Sequence, residues 1–323
     1  MQLELYRYTL PIHTGLILRG NAFKTRQGLI IKLIKGEKIG LGEISPLPFF
    51  SIETLVQAEQ QIKAVFKRLH NGENLQLNQL YPSVAFGLSC ALAELNNVLK
   101  IEPFSFQSVP LFKGDVGQFI TQLNQMENKI GKLKVALQAP EQEAEMINQL
   151  FAQIPDLTLR LDANRKWDWQ QAVTFGKKFA KCYRSRLEFI EEPCQTPKLS
   201  QHFANEFQLP IAWDETSRES HFFVKKQRNV TAIIIKPTLI GSLEKCQNII
   251  DQAHQQGLQA VISSSIESSL ALSQLAQFSQ KYTPHTLAGL DTLNLMQHQL
   301  IRSFSDVSLP LVGIESEFVE RII

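Results

Sequence analysis

Cysteine is scarce in this chain, and its spacing excludes the metal sites that cysteine usually builds. The 323 residues include four cysteines, Cys90, Cys182, Cys194 and Cys246, without any Cys-x-x-Cys pair. A structural zinc centre needs closely spaced ligands, so we expect none. Scattered cysteines are typical of buried thiols in a reducing compartment, which predicts a cytoplasmic protein.

Long apolar runs and an excess of charge are also missing. No segment approaches the roughly 18 consecutive apolar residues of a membrane helix, and residues 1–10 resemble a charged strand more than a secretory signal. Lysine plus arginine number 33 against 31 acidic residues. This balance gives no reason to expect a nucleic-acid or membrane partner, although a small carboxylate substrate remains compatible with it. No protein partner is inferred.

The apolar pattern changes near residue 110. Residues 1–50 alternate as antiparallel strands do, with a turn at Gly36-Glu37, and helical spacing follows over 52–70 and 82–98. Strands followed by helices predict a small α+β domain.

Beyond residue 110, short β-rich segments alternate with helical stretches, at a repeat of roughly 22 to 29 residues. The segments are 132–137, 157–164, 187–193, 210–215, 232–237, 259–265 and 287–291. The alternation predicts successive βα units of an α/β fold. A doubly wound open sheet gives the same alternation, but no Gly-x-Gly-x-x-Gly follows any strand.

Nearly every one of these strands ends in a charged or hydroxyl residue, although buried parallel strands are expected to be apolar throughout. The carboxyl ends of barrel strands carry the active site, which makes these residues candidates. Lys132 and Lys134 are two apart and share a face. Two close ammonium groups favour the loss of one proton, which makes a lysine usable as a base. Taken alone, the pair is more typical of a solvated edge strand than of a catalytic base.

Acidic residues end the next three strands: Asp162, then Glu191 or Glu192, then Asp214 or Glu215. Three carboxylates in register need a cation, because their mutual repulsion is costly in a partly dry site. Ligands that are all oxygen, with no histidine at these positions, favour Mg²⁺ or Mn²⁺ over Zn²⁺. Each acid taken singly is also explained as a helix cap or an ion-pair partner.

Further polar residues extend this set. Arg160 and Asn164 share the face of Asp162, and Lys236 follows a run of three isoleucines. An ion pair with one of the acids is the alternative explanation for Lys236. The segment 263–265, three serines, is suited either to binding a substrate carboxylate or to capping the following helix.

The ordered set Lys-x-Lys, Asp-Ala-Asn, Glu-Glu-Pro, Asp-Glu and Lys-Pro is similar to the muconate-cycloisomerase-like branch of the enolase superfamily. Longer segments resemble the proteobacterial o-succinylbenzoate synthase family across nearly the whole chain. They are GEISPLPFFS (42–51), PSVAFGLSCALAEL (82–95), LRLDANRKW (159–167), FIEEPC (189–194), IAWDE (211–215), IKPTLIGSLEKC (235–246), AVISSSIESSL (260–270) and AGLDT (288–292).

The resemblance implies a modified TIM barrel, (β/α)₇β, over residues 100–299. It also implies an α+β N-terminal capping domain over residues 1–99, completed by residues 300–323. The loops Thr14–Lys24 and Ser45–Ser51 are expected to cover the mouth of the barrel.

The resemblance also implies the roles of individual residues. Asp162, Glu191 and Asp214 are expected to bind Mg²⁺, for which Mn²⁺ substitutes. Lys134 is expected to be the acid/base, and Lys236 to lie across the ring and stabilise the charge of the intermediate. The expected substrate contacts are Lys132, Arg160, Asn164, Ser263 and Gly289.

The implied activity is a dehydration in menaquinone biosynthesis, in which a lysine removes the proton next to a carboxylate to give a Mg²⁺-stabilised enediolate. An N-acylamino acid racemase, a dipeptide epimerase and a muconate cycloisomerase are alternatives on the same scaffold. A non-catalytic carboxylate-binding barrel is a further alternative, which the presence of both lysines and all three acids disfavours.

Overall fold

The structure, a computed structural model, describes residues 2–13, 16–100, 106–304 and 307–323. Internal contacts divide the chain into two compact units. Unit 1 comprises residues 1–108, 236–250 and 262–323, and unit 2 comprises residues 109–235 and 251–261. Within those described ranges, no helix is both long enough and apolar enough to cross a membrane.

Both units combine strands with helices, numbered in chain order. The strands are β1 (Gln2–Pro11), β2 (Ile17–Leu18), β3 (Asn21–Ala22), β4 (Thr25–Lys35), β5 (Lys38–Ile44), β6 (Ile130–Lys134), β7 (Thr158–Asp162), β8 (Leu187–Glu191), β9 (Ile211–Trp213), β10 (Val230–Ile235), β11 (Gln259–Ile262), β12 (Gln299–Leu300), β13 (Leu311–Val312) and β14 (Val319–Arg321). The α-helices are α1 (Leu55–His70), α2 (Pro82–Leu95), α3 (Val116–Asn124), α4 (Pro140–Gln153), α5 (Trp169–Lys178), α6 (Pro197–Phe207), α7 (Pro237–Ile240), α8 (Leu243–Gln255) and α9 (Ser269–Tyr282).

Unit 1 contains an antiparallel sheet in the order β14-β1-β4-β5. The predicted turn joins β4 to β5, and Gly36 adopts a φ of 60° there, which glycine tolerates without strain. Helix α1 begins at Leu55, three residues later than the pattern starts, because the Thr54 side chain caps it and Gln57 bonds back to the Thr54 backbone. Helix α2 ends at Leu95, earlier than the predicted residue 98.

Helix α2 approaches β5 unusually closely, and two glycines make this possible. A Cβ atom added at Gly42 would lie 1.8 Å from the carbonyl oxygen of Gly87, and one at Gly40 would lie 2.0 Å from that of Ala91. The close approach brings Leu88 and Ile44 into one core cluster. Glycine at these two positions of β5 therefore permits the sheet and the helix to pack backbone against backbone.

Unit 2 is built on a six-stranded sheet in the order β11-β10-β9-β8-β7-β6. The pairs from β6 through β10 are parallel, and Leu111 adds a parallel bridge beside Lys132 at the β6 edge. Prolines in the first turn open α4 and α6, and Asp168 caps α5. Buried apolar residues of four strands form one cluster, Phe189, Ala212, Ala232, Ile234 and Val261.

The segment 287–291, predicted as a strand, forms a single parallel bridge in unit 1, between Ser263 and Gly289. The backbone N–H of Gly289 donates to Ile262 and its carbonyl accepts from Ser264, at 2.9 and 3.1 Å. The predicted domain boundaries at residues 99 and 299 remain predictions.

Candidate active site

Two lysines lie on the same face of β6. In the parallel register Lys132 is opposite Arg160 of β7, and Lys134, the last residue of β6, is opposite Asp162. This places Lys134 at the carboxyl edge of the sheet, where barrel enzymes keep their reacting groups. The Lys134 side chain is exposed, and its ammonium donates to Asn164 Oδ1 at 3.2 Å.

Three carboxylates lie at the same edge of unit 2. Asp162 ends β7, Glu191 ends β8 opposite it in register, and Asp214 follows the last residue of β9. These residues retain only 3%, 2% and 1% of their accessible surface. Acids this buried are rare unless a cation compensates their charge.

The Lys132 ammonium provides such a charge. It lies 2.7 and 2.8 Å from the two oxygens of Glu191 and 3.1 Å from Asp162 Oδ2. Burial lowers the pKa of Lys132, but the charges of Asp162 and Glu191 and their hydrogen bonds outweigh it and raise the pKa above its usual value. Lys132 therefore remains charged, whereas the sequence pattern alone does not distinguish it from Lys134.

Glu192 binds the backbone beside Asp214, a role that the sequence did not predict. Its fully buried carboxylate accepts the backbone N–H of Asp214 at 3.1 Å and of Thr216 at 2.7 Å, and pairs with Arg165 at 3.0 Å. Burial raises its pKa, against the lowering effect of Arg165. Glu192 thus fixes the backbone that carries Asp214. The Glu-Glu pair itself could have indicated this role. Adjacent residues at a strand end point in different directions, so only one of the two glutamates can face the same side as Asp162.

Arg160, predicted to contact substrate, bonds to the carboxylate of Glu188 at 2.6 and 3.2 Å and lies over the ring of Phe189. Its substrate contact stays a prediction. Asn164 adopts a φ of 48°, and its backbone N–H donates to Asp162 Oδ1 at 3.2 Å. Asn164 therefore links the predicted base with a predicted metal ligand.

The remaining predicted residues belong to unit 1. Lys236 directly follows β10 and is half-buried, and its carbonyl accepts the N–H groups of Leu239 and Ile240 in α7. Ser263 donates to the Gly289 carbonyl at 3.4 Å. Of the predicted covering loops, Thr14 and Gly15 lie outside the described residues.

A divalent cation is compatible with the donor chemistry of the three buried carboxylates. All are hard oxygen ligands, and the position of the Lys132 ammonium demonstrates that two of them already share one positive charge. Across residues 2–13, 16–100, 106–304 and 307–323, no group of three or more histidine, cysteine or acidic side chains is arranged closely enough to hold a metal. The assignment of Asp162, Glu191 and Asp214 as ligands therefore stays a prediction.

Comparison with known proteins identifies the family. Residues 1–95 match the family described as MenC, N-terminal domain, and residues 118–306 match the family described as Enolase C-terminal domain-like. The chain is 48% identical to o-succinylbenzoate synthase of Yersinia enterocolitica, over 96% of each chain. It is 45% identical to o-succinylbenzoate synthase of Haemophilus influenzae, covering 99% of this chain and 98% of that one.

A solved structure supports the fold independently. The o-succinylbenzoate synthase from Thermosynechococcus elongatus BP-1, complexed with Mg in the active site, aligns with a TM-score of 0.72 at 20% identity, over 97% of this chain and 96% of that one. The predicted fold class, an α/β modified TIM barrel with an α+β N-terminal domain, is confirmed. The chain belongs to the o-succinylbenzoate synthase family of the enolase superfamily.

Proposed function

We propose that this chain is a carbon–oxygen hydro-lyase that converts 2-succinyl-6-hydroxy-2,4-cyclohexadiene-1-carboxylate to 2-succinylbenzoate in menaquinone biosynthesis. Membership of the family supports the reaction class. The observation that carries the proposal is the arrangement at the sheet edge of unit 2. Two buried acids in register share the Lys132 ammonium, and the exposed amine of Lys134 ends the same strand as Lys132.

Asp162, Glu191 and Asp214 are the residues we assign to hold Mg²⁺, or Mn²⁺ in its place. When bound, the ion withdraws charge from the substrate carboxylate and makes the adjacent proton more acidic. Lys132 contributes a fixed positive charge beside two of these acids. Glu192 accepts the backbone N–H of Asp214 and so holds the position of that one acid.

Lys134 is the residue we assign to proton transfer. Its amine takes the proton next to the carboxylate, and the same proton returns to the departing hydroxyl, which leaves as water. Asn164, which accepts from Lys134, orients the amine. The carbon–oxygen bond breaks, the ring becomes aromatic, and no oxidant or reductant is consumed. Lys236 supplies positive charge to the intermediate without moving a proton.

The remaining assignments rest on the family resemblance. Substrate contacts are proposed for Lys132, Arg160, Asn164, Ser263 and Gly289. Residues 1–99 with 300–323 are proposed as the capping domain and 100–299 as the barrel. We also propose a cytoplasmic location, consistent with the four cysteines being free thiols.

The direct test supplies the cyclohexadiene carboxylate and follows the appearance of the aromatic product by absorbance. We expect turnover that EDTA abolishes and Mg²⁺ or Mn²⁺ restores. Asp162→Asn, Glu191→Gln and Asp214→Asn are each expected to weaken Mg²⁺ binding in calorimetry and nearly abolish turnover. Glu206→Gln, which removes an exposed acid of α6, is the matched control and is expected to behave as wild type.

Two outcomes reject the proposal. Full activity in metal-free protein contradicts the metal assignment. Absence of dehydration together with rapid racemisation of N-acylamino acids establishes the alternative activity on this scaffold.

A further inference from the structure

Unit 1 contains a buried acid that the proposed reaction does not use. Glu267, two residues beyond the serine segment that follows β11, has no accessible surface, and neither has Thr238. The Thr238 hydroxyl donates to Glu267 Oε1 at 2.5 Å, and the backbone N–H of Ser265 donates to Oε2 at 2.5 Å. Both oxygens of one buried carboxylate are therefore engaged by two different segments of the chain.

The first of these segments carries Lys236. Thr238 is two residues beyond it, in the single turn of α7, and the Lys236 carbonyl accepts the N–H groups of Leu239 and Ile240. Helix α7 has only four residues, too few to be stable through its own hydrogen bonds. The hydrogen bond from Thr238 to Glu267 therefore anchors the turn that begins directly after Lys236.

The second segment carries Ser263. The Ser265 N–H is held by Glu267, while Ser264 N–H donates to Gly289. Ile266, the residue next to Glu267, adopts a φ of 61°, and its carbonyl accepts from Arg26 at 2.8 Å. An isoleucine is strained in this conformation, so the surrounding bonds fix the path of the backbone. The backbone that carries Glu267 is thus fixed by hydrogen bonds, and this fixes the position of the Glu267 carboxylate relative to Thr238.

Burial raises the pKa of Glu267, whereas its hydrogen bonds from Thr238 and Ser265 lower it. A buried carboxyl group of this kind is costly, and a merely structural contact between the two segments is made equally well by apolar side chains. A directional hydrogen bond, however, fixes the orientation of a short turn in a way that apolar packing does not.

We propose that Thr238 and Glu267 are a positioning pair that sets the direction of the Lys236 side chain. This inference rests on the role assigned to Lys236 in the proposed function. A reacting group displaced by about 1 Å loses on the order of 10²-fold in rate, so loss of the anchor is expected to lower kcat more than it changes KM.

The test combines Thr238→Val, which keeps the shape and removes the hydroxyl, with Thr238→Ser, which restores it. We expect Thr238→Val to lower kcat by about 10- to 100-fold, with KM changed less, and Thr238→Ser to recover most of the rate. Thr283→Val is the matched control, since Thr283 is a buried threonine of the same unit whose hydroxyl bonds to Ser279 of α9. Its kcat is expected to equal that of wild type.

A double-mutant cycle separates positioning from stability. In a Lys236→Ala background, Thr238→Val is expected to cause no further loss, because its effect passes through Lys236. The labelling rate of Lys236 by an amine-reactive reagent, mapped by mass spectrometry, is expected to rise in Thr238→Val and not in Thr283→Val. This second readout does not depend on turnover.

Unchanged labelling of Lys236 in Thr238→Val overturns the positioning role even when Lys236→Ala is inactive. Where Lys236→Ala keeps measurable turnover, multiplicative losses in the double variant overturn it as well. Wild-type turnover by Lys236→Ala overturns the assigned role of Lys236 and the inference with it. Absence of dehydration by the wild type rejects the proposed function, while labelling still reports whether Thr238 positions Lys236.

Discussion

The ammonium nitrogen of Lys132 lies 2.8 and 2.7 Å from the two carboxylate oxygens of Glu191, although strand β7 separates the strands that carry them. The same nitrogen reaches Asp162 on the intervening strand at 3.1 Å. One lysine, with a single positive charge, thus pairs with two of the three buried acids that we assign to Mg²⁺. The lysine and the metal are both expected to supply positive charge to these acids.

Lys132→Met is expected to destabilise the chelated protein by about 3 kcal/mol, because it leaves two buried carboxylates without their cation. In saturating Mg²⁺ the loss relative to wild type is expected to be smaller, because the bound cation then supplies positive charge that the two acids lose with Lys132. Urea unfolding of the variant and the wild type, in EDTA and in Mg²⁺, measures both effects.

Lys129→Met is the control for this prediction. Lys129 pairs with the exposed acid Asp156, and solvent screens such a pair so that it adds little stability. We expect the control to change little and equally with and without Mg²⁺. The shared role of Lys132 is rejected if its variant loses the same stability in both conditions.

Sequence reasoning located the acids but not their partners. Asp162 and Glu191 were predictable because a charged residue that ends an apolar strand is conspicuous, and the resemblance selected Glu191 over Glu192. The pairing of Lys132 with both acids depends on the register of three strands, which alternation alone does not specify. The ion pair of Arg160 with Glu188 was missed for the same reason.

The fold was also predictable only in part. The turn at Gly36 and the recurring βα pattern came directly from residue types and spacing. Helix α1 begins later than the apolar spacing predicted, because the Thr54 side chain caps its first turn and apolar spacing does not reveal a cap. The segment 287–291 forms one bridge instead of a strand, because pairing depends on a neighbour that local sequence does not identify.

Glu192→Ala is expected to weaken Mg²⁺ binding by about 10- to 100-fold, because residues that hold a metal ligand in place typically contribute this much to affinity. The variant removes the acceptor for the Asp214 and Thr216 backbone N–H groups. Glu192→Gln keeps an acceptor oxygen and is expected to lose less. Isothermal titration with Mg²⁺ measures the affinities.

Glu219→Ala provides the comparison for Glu192, because Glu219 also pairs with Arg165 and is half exposed. It is expected to bind Mg²⁺ with wild-type affinity. Equal affinities for the Glu192 and Glu219 alanine variants would falsify the supporting role of Glu192.

Gly42→Ala is expected to destabilise the protein by about 3 kcal/mol or more, because the added Cβ meets the Gly87 carbonyl at 1.8 Å and backbone must move. Gly117→Ala in α3 is the control, since its Cβ has only Asp115 Oδ1 within 4 Å, at 3.4 Å. We expect the control to remain within about 1 kcal/mol of wild type in urea unfolding. A similarly small change for Gly42→Ala contradicts the required close approach.

The two candidate lysines distinguish a dehydratase from a racemase. A racemase needs a base for each enantiomer, so both Lys134 and Lys236 are then indispensable as bases. In the dehydratase only Lys134 moves protons, and Lys134→Ala is expected to lower kcat by about 10²- to 10⁴-fold or more. Lys177→Ala, which removes an exposed lysine of α5, is the matched control and is expected to retain full activity.

Lys236→Arg keeps the positive charge but is a poor base, because arginine stays protonated. It is therefore expected to retain more dehydration than Lys236→Ala, although the larger guanidinium reduces the difference. Steady-state dehydration and exchange of the substrate α-proton in D₂O measure the two roles separately. Dehydration that survives in Lys134→Ala and disappears in Lys236→Ala reverses the roles, because the proton would then be carried by the lysine that follows β10 instead of the one that ends β6.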